Sequence, residues 1–195
     1  MCKILSVWIL IMGVANMASG SETTKLKELI DLGVAYHHKA VEGDKKAVKE
    51  AEKLFKNALQ IEPENPVILA WYGSVLTMKG RDAWSPISKL RYVDQGIKKM
   101  DEAVKNTPDD ITIRMIRASN SLALPGFLGR VDFAISDCEY LLKLREKSPE
   151  SFPDEILPQI YHNLGMAYQK KGEKEKAREA LEKATELSPE SDTEY

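Results

Sequence analysis

Two cysteines occur in the 195 residues, Cys2 and Cys138. So few exclude the disulfide framework that staples small exported domains, and leave stability to packing. Neither charge is in excess. The chain has 28 Lys+Arg against 30 Asp+Glu, a formal net charge of −2. That balance excludes the strongly basic footprint of a nucleic-acid binder and the acidity of a disordered, solvating chain. Beyond the first twenty residues there is no apolar run long enough to span a membrane. No Asn-x-Ser/Thr acceptor with x other than Pro occurs, which favours a bacterial envelope over a eukaryotic secretory route. What is present is 43% hydrophobic content, enough for a sizeable core in one domain.

The first twenty residues, MCKILSVWILIMGVANMASG, read as a separate object. Lys3 gives a short positive region, Ile4 to Val14 an apolar run, and Ala18-Ser19-Gly20 the small residues at which a leader is cleaved. The expectation is a signal peptide over 1–20, cleaved near Gly20, and a mature protein that is periplasmic or secreted. The alternative is an uncleaved N-terminal anchor in the inner membrane, although the run is short for a span of about 20 residues. Cys2 precedes the apolar run, where a lipoprotein cysteine would follow it.

The mature chain repeats itself. Residues Tyr161 to Pro189 place Tyr161, Leu164, Gly165 and Tyr168 on one helix face, and Ala177, Leu181, Ala184 and Leu187 on a second, around Gly172. Pro189 bars further helix. The pattern returns at Leu29, Leu32, Gly33, Tyr36, Ala51, Phe55, Ala58 and Pro63. It returns again at Leu69, Tyr72, Gly73, Leu76, Gly96, Met100, Ala103 and Pro108, and more weakly at Met115, Ala118, Ser119, Leu122, Ala134, Cys138 and Leu141. This spacing resembles the tetratricopeptide repeat. The resemblance implies an all-α fold, an α-solenoid of four helix-turn-helix units over about 27–63, 66–108, 111–147 and 158–191 within a domain of 21–195. Leu59, Val104 and Leu142 make the second helix of the first three units apolar on a second side, for stacking. The fourth has Thr185 there, flanked by Arg178 and Glu182, so that helix faces water and ends the array.

The departures from the pattern fall in the turns inside the units. Gly43-Asp44 forms an enlarged first turn. In the second, Ser85-Pro86 reads as N-cap and first helical residue, so a long helix over Pro86–Asn106 is predicted. In the third, LPGFLGR replaces a tight turn. Phe127 and Leu128 are expected either to clasp over Trp84, Ile87 and Leu90, or to stand exposed as a contact tip.

Catalytic constellations are not found. In GFLGR only two residues separate Gly126 from Gly129, so it is no phosphate loop. His37-His38 point about 100° apart on a helix and are expected to face solvent rather than chelate. Cys138 sits on a core face and reads as an inert thiol. Neither a metal nor a cofactor is expected, and the chain reads as a non-enzyme.

The family resemblance implies a concave groove lined by the first helix of each unit, binding a protein or peptide partner. Carried onto this chain, the groove comprises Trp71, Ser74, Met78, Arg114, Arg117, Asn120, His162, Met166 and Gln169, with Trp84, Phe127 and Leu128 on the enlarged edge. Arg114 and Arg117 need acceptors. Those are either internal acids such as Asp109, Asp110 or Asp137, or a bound carboxylate. A homo-oligomer joined through the enlarged turns is the second functional reading.

Overall fold

The computed structural model describes the backbone of residues 5–188 and the side chains of residues 22–188. The side chains of the expected leader and the stop at Pro189 lie outside the described residues. All regular structure among the described residues is helical. The chain divides into two compact units, 1–96 and 97–195, the division falling within one long helix.

The first unit begins with α1 (Leu5–Val41), one helix through the expected cleavage point. α2 (Lys45–Ile61) packs on α1, and α3 (Pro66–Asp82) packs on both. The turn after α1 forms where the sequence supplies Gly43-Asp44. Gly43 has φ 102°, a left-handed conformation that glycine adopts without steric cost. The Asp44 carboxylate then accepts from the Lys46 and Ala47 amides at 2.7 and 3.1 Å, capping α2. Asn65 caps α3 in the same way, ahead of Pro66. The core gathers Ala40, Ala47, Val48, Ala51, Phe55, Ala58, Ile68 and Val75. At Gly33 a Cβ would lie 2.8 Å from the Phe55 ring, so the glycine is what lets α1 and α2 close. Leu32, expected in the core, is 44% exposed. It lies at the edge of the stripe that Leu29, Gly33 and Tyr36 define, and the stripe is narrow here.

The helix that crosses the division is α4 (Pro86–Asn106), the span predicted from Ser85-Pro86. Ser85 Oγ accepts from the Ser88 amide at 3.1 Å. Its first half belongs to the first unit, where Gly96 meets the Gly73 backbone. In the second unit Met100, Ala103 and Val104 are buried. α5 (Ile111–Ala123) follows, capped by Asp110, then a 3-10 turn over Gly126–Leu128 and α6 (Val131–Lys147). Two further 3-10 turns, Pro149–Ser151 and Asp154–Ile156, lead into α7 (Leu157–Lys171) and α8 (Lys174–Leu187). Gly172, at φ 80°, makes the tight turn between the last two. A Cβ on Gly165 would lie 2.7 Å from Leu181, repeating between α7 and α8 the approach that Gly33 makes between α1 and α2. Thr185, Arg178 and Glu182 on α8 are exposed.

Candidate interaction surfaces

In the first unit α3 carries Trp71, Ser74 and Met78. Trp71 and Met78 are half-buried, but Ser74 is fully buried and is thereby corrected as a partner contact. The reason is His37. Its Nε2 shares a 2.6 Å hydrogen bond with Ser74 Oγ, and its ring meets Trp71 edge-on at 4.8 Å between centroids. Trp71 in turn lies parallel to Phe55. His37 is therefore buried where both histidines were expected to face solvent; only His38 does so. Two residues 100° apart straddle the face boundary, and the inward one has found a hydroxyl. Burial first, then the neighbouring His38, lowers the His37 pKa to about 4, and its Nδ1 has no hydrogen-bond partner among the described residues. In the same unit Glu52 takes Lys79 at 2.7 Å and Lys56 at 2.7 Å, linking α2 to α3.

In the second unit the two candidate arginines are not open to a ligand. Arg114 and Arg117 are buried, and both donate to Asp137, which is fully buried on α6. The distances are 2.7 Å from Arg114 Nη1, and 2.8 Å from both Nε and Nη2 of Arg117. Of the acceptors expected, Asp137 is the one used. Arg114 Nε also donates to the Pro108 carbonyl, and its guanidinium stacks on Tyr140 at 3.6 Å. Arg117 continues to Asp101 on α4 at 3.1 Å, and Asp101 receives a bidentate pair from Arg130 at 2.6 and 3.0 Å. Burial opposes the Arg117 charge, but Asp137 and then Asp101 outweigh it and hold its pKa above the ordinary value. Arg114 and Arg117 are corrected accordingly, from groove contacts to internal links tying α5 to α6 and α4.

Sequence reasoning missed Asp101 and Arg130. A signal for Arg130 was available. It directly precedes α6, where the helix dipole disfavours a cation, so an arginine there calls for a carboxylate. Asn120 donates to the Ile116 carbonyl one turn back and is half-buried. Cys138 is buried, and burial, then Asp137 and Glu139, pushes its thiol up to about 12, so it is unreactive.

The remaining groove residues are accessible. His162, Met166 and Gln169 lie on one face of α7 at i, i+4 and i+7, the first and last exposed and Met166 half-buried. His162 borders a recess of about 350 Å³ with Pro158, Gln159, Leu181 and Thr185. Gln169 borders a second, of about 580 Å³, with Ala177, Arg178 and Leu181. Both recesses lie along α7 and α8.

On the enlarged turns, Trp84 is 98% exposed and Phe127 81%, so the burial expected of a clasp is not found. Leu128 is half-buried. In a 3-10 turn successive side chains point about 120° apart, so one of the Phe-Leu pair turns inward and the other cannot follow. No group of three metal-ligating side chains, and no helix long and apolar enough to cross a membrane, occurs among the described residues.

The chain is 19% identical to the solved structure of MamA MSR-1 C2, covering 95% of this chain and 97% of that one with a TM-score of 0.49. No curated protein matches the chain. Residues 158–191, which hold α7, Gly172 and α8, match the family model of the tetratricopeptide repeat. The α7–α8 hairpin is thus a tetratricopeptide-type unit, and a hairpin on the other side of the division, α1 with α2, is closed by the same glycine-to-large-residue approach.

Proposed function

We propose that this protein is a non-catalytic scaffold that binds a protein or peptide partner on the accessible face of α7. The observation that carries it is the row His162, Met166 and Gln169, left open beside the two recesses along α7 and α8. The row offers hydrogen-bonding groups around an adaptable thioether, a combination suited to an extended peptide or a helix edge. Arg114 and Arg117 serve this surface by fixing α5, α6 and α4 as a preformed support. A photocrosslinking residue at 162 or 169 is expected to capture a discrete partner in cells, and the same group at exposed Glu179 on α8 to capture none. Equal capture at all three positions overturns the reading.

A homo-oligomer joined through the enlarged turns is the second reading, favoured by the exposure of Phe127. Light scattering at rising concentration checks it, and a strict monomer excludes it. We further place the mature protein in the periplasm or outside the cell, on the strength of Lys3, the apolar run Ile4 to Val14 and Ala18-Ser19-Gly20. Anchoring through an uncleaved N-terminus is the alternative. The mass of the purified mature chain separates the two, since cleavage leaves an N-terminus near Ser21.

A further inference from the structure

Three large apolar side chains stand uncovered in one short stretch of the first unit. Trp84 is 98% exposed, Ile87 81% and Leu90 56%. The backbone sets them there. α3 ends at Asp82, Ala83 is extended, and α4 restarts at Pro86 under the Ser85 cap. Trp84 therefore sits on the turn, and Ile87 and Leu90 follow one helical turn apart. Such side chains on a water-exposed turn carry a hydration cost that a single scattered apolar residue does not.

The charges next to Leu90 are cationic. Lys89 and Arg91 flank Leu90, are exposed, and pair with no carboxylate among the described residues. Arg91 lies beside the Tyr92 ring instead, at 5.1 Å. Two acids lie near these cations: Asp82, already held by Arg81 at 2.8 and 3.0 Å, and Asp94, which has an interaction of its own. A chain of net charge −2 thus presents two exposed cations beside an apolar tip.

We propose that the Trp84–Arg91 tip docks on an anionic lipid surface. Trp84, Ile87 and Leu90 enter the boundary between headgroups and acyl chains, where an indole ring is favoured, and Lys89 and Arg91 meet headgroup phosphates. Charge complementarity selects this occupant. A net-negative protein is repelled by an anionic bilayer unless cations are gathered where the contact is made. The proposal is independent of the α7 surface, which lies in the other unit.

Trp84 is its own reporter. The full chain carrying Trp8→Phe and Trp71→Phe leaves it as the sole tryptophan. With vesicles of phosphatidylcholine and phosphatidylglycerol, its emission is expected to move to shorter wavelength and to be quenched by brominated acyl chains. Replacing both Lys89 and Arg91 by Gln is expected to weaken that response about tenfold or more, as is raising the salt concentration. Three outcomes overturn the proposal. One is an unchanged Trp84 emission while the chain sediments with the vesicles, which leaves attachment to the N-terminal segment. Another is an equal shift on pure phosphatidylcholine. The third is a shift without lipid that grows with protein concentration, which gives the tip to a second copy of the chain.

Discussion

His37 shows how a single side chain makes stability depend on pH. Its folded pKa, about 4, lies below the ordinary histidine value near 6.5. The unfolded chain therefore binds more protons between those two values, and folding loses free energy as pH falls through that window. At pH 5 the loss relative to neutral pH is about 2 kcal/mol. Urea unfolding of the wild type should show it as a lower midpoint at pH 5 than at pH 7, and His37→Gln should lose much of that difference. Asp137 is the other residue on which much turns. It is fully buried and faces two arginines, so Asp137→Asn strands buried cations and should cost about 3–5 kcal/mol. The same change at Asp101, whose side chain is 35% exposed, should cost clearly less, because water replaces part of the lost pairing. Comparison of the two urea midpoints checks the order.

At the scale of helices and turns, the glycines set how closely neighbours approach. A Cβ at position 96 would lie 2.4 Å from the Gly73 carbonyl oxygen and 2.8 Å from Thr77, and backbone cannot yield. At position 165 it would meet Leu181 Cγ at 2.7 Å, a side chain that can shift in part, and the nearest backbone atom, the Ala177 carbonyl oxygen, lies further off at 3.2 Å. Gly96→Ala should therefore cost at least about 2 kcal/mol and Gly165→Ala about 1 kcal/mol, again read from denaturant midpoints. Elements of this kind were legible in the sequence. Gly43-Asp44, Ser85-Pro86 and Gly172 each act through a neighbour in the chain, so the turns and α4 could be placed from local chemistry alone. The candidate surface was less legible. Spacing assigned Ser74, Arg114 and Arg117 to helix faces, but not whether a distant side chain already occupied them. His37, Asp101 and Asp137 do so from other helices, and only folding brings them into reach. The exposure of Phe127 was open for the same reason, since two apolar neighbours on a turn can be covered or not with the same local sequence.

At the scale of the whole molecule, a repeat protein is ordinarily close to a sum of its units, each able to open at the cost of its own interfaces. The buried ionic cluster departs from that rule in the second unit. Asp101 on α4, Arg114 and Arg117 on α5, Arg130 before α6 and Asp137 within it satisfy one another only when all three helices are in place. Opening any one of them leaves charge buried without its partner. These helices are thereby coupled into a single cooperative block. Native-state hydrogen exchange should find the amides of the second half of α4, of α5 and of α6 opening together at one free energy, with α8 fraying below it. Asp137→Asn should split that block, so that protection falls helix by helix. Two arginines that sequence spacing left open between internal acids and a ligand are, in the folded chain, what makes part of an additive array behave as all-or-none.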